Sequence, residues 1–313
     1  MTEEPTKTKK PRAPRAVAKP LDLFYLDPSD KSEALEIVAS IETVASLETV
    51  ASLETVASLE TVASIETVAS IETVASLETV ASLETVASLV QLSLDEVGRG
   101  CLFGRTYIAC VVLPKSADDS NPFYGRTDIK DSKKFSSKKK MKDVATFIKE
   151  NALAWQIEYV ENDVIDKINI LKSVMRGMHE CIRNVLTKVH VTKHSSDTKN
   201  TLIVVDGNYF TPYCVFDESS QTLREIPSVT VEQGDAKYMG IAAASILAKV
   251  ARDEYISDLC VQYPVLSERY HLDQNMGYGT KAHMDGIREH GITQWHRRTF
   301  GELCKTAKVT NIE

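Results

Sequence analysis

No stretch of this sequence is apolar over the roughly 18 residues needed to cross a bilayer. The first twenty residues, MTEEPTKTKKPRAPRAVAKP, hold no apolar core segment, so no secretory leader is expected. Cysteine is sparse and scattered: Cys101, Cys110, Cys181, Cys214, Cys260 and Cys304 form no CxxC pair and adjoin no histidine cluster. That excludes a zinc ribbon or a disulfide scaffold and favours a reducing compartment. The expected location is intracellular and not secreted, with nuclear entry left open by the basic N-terminal arm.

What is present is unevenly distributed. The formal net charge of −7 over 313 residues argues against a nucleic-acid binder until it is divided. Residues 1–20 carry six Lys/Arg and two Glu; residues 21–34 carry four acids and one Lys. Residues 35–88 carry nine Glu and no base, which leaves residues 89–313 at about +1. The acidity belongs to one segment.

That segment, Leu35 to Ser88, is a nine-fold hexad: LEIVAS once, then IETVAS or LETVAS eight times. On a helix an apolar residue every third position drifts about 60° per step, so no single face stays apolar. As a strand, Leu/Ile, Thr and Ala share one face and Glu, Val and Ser the other. A helical or poorly ordered insert, a short hexapeptide solenoid and a helical oligomerisation element all remain open. Residues 1–34 read as a disordered basic and polar arm.

From Leu89 the texture changes to alternating strands and helices, the pattern of an α/β domain over 89–313. Strands are expected at 89–96, 105–114, 154–160, 201–208 and 228–235. A helix is expected over 138–153 and one long amphipathic helix over 162–189. The small-residue segment 238–260 is expected to be a helix able to pack closely on a sheet.

Three of the strands end in acids: Asp95–Glu96, Asp206 and Asp235. Ligands of open α/β sheets bind beyond the carboxyl ends of strands. Acids gathered there repel one another and need cations to stay ionised together, and oxygen-only ligand sets suit Mg²⁺ or Mn²⁺. Taken singly, Asp206 could be a turn acid before Gly207, and Asp235 a cap of the next helix.

Five blocks then occur in order: DEVGRG (95–100), DSKKFS (131–136), VDGN (205–208), GDAKYMGIAAASILAKVARD (234–253), and NMGYGTKAH with HRRTF (275–283, 296–300). Together, over about residues 90–303, they closely resemble the signature blocks of ribonuclease HII in its bacterial single-chain form. The resemblance implies an RNase H-like mixed five-stranded sheet flanked by helices, with a C-terminal helical extension. It implies a metal-dependent endonuclease that cuts the RNA strand of RNA/DNA hybrids and cuts 5′ of ribonucleotides embedded in duplex DNA. The products would be a 5′-phosphate and a 3′-hydroxyl, made by two-metal-ion catalysis. By the same resemblance Asp95, Glu96, Asp206 and Asp235 are the catalytic, metal-binding quartet, loaded with Mg²⁺ or Mn²⁺.

Substrate contacts are implied for Gly98, Arg99 and Gly100, whose turn would sense the ribose 2′-OH. Tyr278 would pack against the deoxyribose that follows. Ser132, Lys133, Lys134 and Arg297 would touch phosphates, with Arg298 a further DNA-strand contact. Lys249 and Arg252 read better as an ion-pair face, and Asp253 as structural. The expected partners are RNA/DNA hybrid and ribonucleotide-containing DNA, no membrane, and a monomer unless the hexads drive assembly. The competing readings are a hybrid-binding relative without catalysis and an assembly module built on the repeat.

Overall fold

The computed structural model describes residues 90–115, 120–193, 198, 200–218 and 220–313. The arm and the hexad repeat lie outside them, so the readings of 1–88 stand as expectations. Among the described residues no helix is long and apolar enough to cross a membrane.

Five strands form the central sheet: β1 (Val90–Val97), β2 (Thr106–Val112), β3 (Ala154–Val160), β4 (Thr201–Asp206) and β7 (Ser228–Val231), in the order β3-β2-β1-β4-β7. β1 pairs antiparallel with β2, and β2 with β3, while β1–β4 and β4–β7 are parallel. The sheet is therefore mixed, as expected. A separate hairpin, β5 (Tyr213–Asp217) with β6 (Thr222–Ile226), lies between β4 and β7 in sequence. It was not legible beforehand, because its strands are short and carry exposed residues such as Phe216 and Leu223.

Helices cover both faces. Leu92, Leu94, Ile108, Cys110, Ile203 and Val205 bury one face against α2 (Asn162–Ile168) and α3 (Ile170–Lys193). The expected single helix over 162–189 is broken at Asn169, whose φ of 68° leaves the helical region. Its side chain accepts from the Lys172 N–H at 3.0 Å and so caps the second helix, a position Asn suits. On the other face, α1 (Lys138–Asn151), the four-residue α4 (Gly234–Lys237) and α5 (Met239–Gln262) follow the chain order. Ala242, Ala243, Ala244 and Ala248 of α5 are fully buried, and their small size lets the helix lie close to β1 and β2.

The C-terminal segment is the expected helical extension: α6 (Val265–Tyr270), α7 (Leu272–Asn275), α8 (Lys281–His290) and α9 (Gly301–Thr306). Phe103, Ile256, Tyr270, Leu272, Ile287 and Ile292 give it a core of its own, which ties it to the loop after β1 and to α5.

Candidate active site

Register decides which acids meet. Leu94 pairs with Val205 across the parallel β1–β4 ladder. The next residues, Asp95 within β1 and Asp206 at the end of β4, therefore lie side by side just past the parallel ladder, and both point away from the face that Leu94 and Val205 bury. Asp95 is almost fully buried, at 4% exposure. Asp206 Oδ1 accepts from the Gly234 N–H at 2.6 Å, which pins the start of α4 to the end of β4. Asp235 then sits in α4 itself. The expectation that it closes a strand needs correction: β7 stops at Val231, and a turn through Gln233 (φ 56°) comes between.

Burial and proximity together raise the proton affinity of these acids. Burial holds the Asp95 carboxyl well above the usual carboxylate range, and the charges of Asp206 and then Glu96 push it further. Glu96 is raised chiefly by burial, partly countered by Arg99, whose Nη1 lies 3.4 Å from its Oε1. Asp206 is raised by burial and by Asp235, against the lowering effect of its Gly234 bond. Even so, among the described residues no three His, Cys, Asp or Glu side chains are already gathered into a metal-holding cluster. The acids feel one another's charge without sharing a single centre. The set is all oxygen, and its most buried member, Asp95, has no basic group among the causes that lower it. Such a set fits hard divalent cations.

One support was missed in the sequence. Ser245 of α5 hydrogen-bonds Asp95, and its Oγ lies 3.1 Å from Ser132 Oγ. A carboxylate can only accept, so Ser245 donates to Asp95 and Ser132 donates to Ser245. Ser132 is 7% exposed and turned inward, so its expected substrate contact is corrected to a brace for the first acid. Its neighbour Lys133 is exposed on the same 3₁₀ turn (Ser132–Lys134), and its charge reaches Asp206. Lys134 ends that turn.

The Gly98–Gly100 turn opens beside the acids. Gly98 has φ 93°, while Arg99 and Gly100 are exposed. Beneath it are two fully buried guanidinium groups. Arg252 donates to the carbonyls of Met276 (2.7 Å), Phe103 (3.2 Å) and Arg105 (3.3 Å). It is not part of an ion-pair face. Only Lys249 is, at 2.5 Å from Asp253. Arg297 donates to the carbonyls of Gly104 (2.9 Å) and Arg99 (3.0 Å). With no exposed surface, Arg297 cannot take the phosphate contact expected of it; it holds the turn from below. Arg298 is exposed, and its N–H donates to Asp166 at 2.8 Å. Tyr278 stands at the surface, 43% exposed, with the Arg252 guanidinium 5.8 Å from its ring centre.

Arg297→Met should therefore cost about 2–4 kcal/mol of stability, the usual range for breaking a buried polar network. The salt dependence of duplex binding by the folded protein should not change. Loss of one phosphate contact would instead shift the slope of log K against log salt by about 0.9.

The family model described as Ribonuclease HII matches residues 92–303, the stretch that holds all of these groups. The chain belongs to the ribonuclease HII family. The protein named Ribonuclease HII of Parabacteroides distasonis is 40% identical over 211 residues, 67% of this chain and 89% of that protein. Its namesake in Bacteroides thetaiotaomicron is 38% identical over 215 residues, 69% of this chain and 91% of that one. Among solved structures, the complex of PCNA with RNase HII from Archaeoglobus fulgidus matches at TM-score 0.46 and 23% identity, over 68% of this chain and 96% of that chain. Ribonuclease H2 from Pyrococcus horikoshii matches at 0.46 and 22%, over 69% and 95%. The protein is thus a metal-dependent type 2 ribonuclease H, an endonuclease acting on RNA/DNA hybrids.

Proposed function

We propose that Asp95, Glu96, Asp206 and Asp235 hold Mg²⁺ or Mn²⁺ and that hydrolysis occurs on the 5′ side of a ribonucleotide within duplex nucleic acid. The observation that carries this reading is the pair Asp95 and Asp206, side by side where the parallel β1–β4 ladder ends, with the charge of Asp206 raising the proton affinity of Asp95. Divalent ions, when held there, supply the Lewis acidity that activates water and stabilises the departing 3′ oxygen.

The chain's own groups do the rest. Ser132 and Ser245 orient Asp95, and the Gly234 N–H orients Asp206. The outward side of the Gly98–Gly100 turn approaches the ribose and reads its 2′-OH through main-chain groups, with the Arg99 carbonyl held from below by Arg297 and Gly98 backed by the Arg252 side chain. Arg99, released from Glu96, meets the phosphate at the cut. Tyr278 lays its ring against the next deoxyribose, and Lys133 with Lys134 grips the backbone without reading bases. The functional unit is residues 89–313, acting as a monomer unless the hexads drive assembly.

The test is a duplex DNA carrying one ribonucleotide, incubated with and without Mg²⁺ and resolved on a sequencing gel. A single metal-dependent cut leaving a 3′-hydroxyl upstream and a 5′-phosphate on the ribonucleotide is expected. A cut on its 3′ side, or a 2′,3′-cyclic phosphate product, would overturn the assignment.

A further inference from the structure

Two histidines, His283 at the start of α8 and His296 in the HRRTF block, lie fully buried behind Tyr278 with their Nε2 atoms 3.1 Å apart. At that distance one nitrogen donates and the other accepts. The rest of the network decides which. The main-chain N–H of Thr293 points at His296 Nδ1 at 2.9 Å, and a peptide N–H can only donate. His296 Nδ1 is therefore bare, and its proton sits on Nε2. His283 Nε2 must accept that proton, which leaves the His283 proton on Nδ1. There it meets the carbonyl oxygen of Tyr278 at 2.9 Å, a group that can only accept. Both ends of the chain demand the same arrangement. The Thr293 hydroxyl, 2.9 Å from the same Nδ1, is free to donate there too. Burial keeps both imidazoles less basic than usual, in keeping with two neutral rings.

The relay joins two loops. One carries Tyr278, whose carbonyl it holds together with the Thr280 N–H (2.8 Å). The other runs from Thr293 to Arg297, whose N–H bonds Leu102 and whose guanidinium holds Arg99 and Gly104. We infer that His283 and His296 are positioning residues: an ordered pair of imidazoles of opposite tautomer that fixes Tyr278 against the Gly98–Gly100 turn. It thereby sets the preference for a ribonucleotide-to-deoxyribonucleotide junction over a uniform hybrid. The inference rests on the reading of Tyr278 as the deoxyribose contact.

Two measurements on the full chain test it. Nitrogen-15 histidine NMR should show His296 protonated on Nε2 and His283 on Nδ1; two like or rapidly averaging tautomers would overturn the relay. The second is the ratio of kcat/KM on a duplex with one ribonucleotide to that on a uniform RNA/DNA hybrid. Tyr278→Ala should lower this ratio, and His283→Phe should lower it by about tenfold, near 1.4 kcal/mol of discrimination. His283→Asn, which keeps an N–H donor near the Tyr278 carbonyl, should stay within about twofold of the parent ratio. If Tyr278→Ala leaves the ratio unchanged, the tyrosine assignment fails and takes the inference with it. If Tyr278→Ala lowers the ratio but His283→Phe depresses both substrates equally, only the histidine role fails. Should His283→Phe not fold, the tautomers and the Asn variant still decide.

Discussion

Asp95→Asn is expected to lower Mg²⁺-dependent cleavage by about 10³-fold or more, at least 4 kcal/mol of transition-state stabilisation, and at the same time to make the metal-free protein more stable at neutral pH. The second half follows from where the carboxylate sits. Burial, together with the charges of Asp206 and Glu96, raises its proton affinity in the folded state, so ionisation opposes folding. The penalty is absent while both folded and unfolded chains are protonated. It grows as pH rises above about 3.9, the usual carboxyl value, and is complete once pH has passed the raised folded value. Thermal melts in chelator should therefore show a gain for the Asn variant at pH 7 that shrinks towards pH 3. Added Mg²⁺ or Mn²⁺ should reverse the order. Saturation at about 100 times Kd would stabilise the parent by about 2.7 kcal/mol and the variant by less. A variant that keeps full activity, or that is no more stable than the parent in chelator at pH 7, would remove Asp95 from the account.

Gly98→Ala and Gly100→Ala should separate the two demands made on the turn. Gly98 holds φ 93°, and an added Cβ would meet Arg252 Nε at 2.3 Å. Arg252 cannot retreat, because three main-chain carbonyls hold it with no exposed surface. Strain and overpacking together should cost about 2–4 kcal/mol and lower Tm by roughly 5–15 °C. Gly100 has no atom within 4 Å of the position a Cβ would take, so the change to Ala should leave stability within about 0.5 kcal/mol. In the proposed function the ribose approaches through that open space. Gly100→Ala should therefore cut kcat/KM at least about tenfold with duplex affinity little changed. Full activity in Gly100→Ala would place the sugar elsewhere.

The family was legible because the motif blocks come in a fixed order, with Asp95, Glu96 and Asp206 at or near the ends of apolar strands. Asp95, Glu96 and Asp206 lie within reach of one another's charge, and Lys133 within reach of Asp206. Ser132 and Arg297 depart from the phosphate contacts that their motifs imply for a common reason. A hydroxyl or a guanidinium beside a basic motif looks like a phosphate ligand when only its neighbours in sequence are known. What turns each inward is a distant partner: Ser245 on α5 for the serine, and the carbonyls of Arg99 and Gly104 for the arginine. Arg252 differs: it reads with Lys249 as an ion-pair face, yet the helix places it under the Gly98 turn. The break at Asn169 was hidden because the apolar period carries on through it.

The sequence by itself determined the class of fold and the family, since periodicity and local motifs are properties of neighbouring residues. Tertiary structure alone decided which polar groups face solvent and which brace the site. It also set the opposed tautomers of His283 and His296, because those depend on fixed donors and acceptors brought together from separate loops.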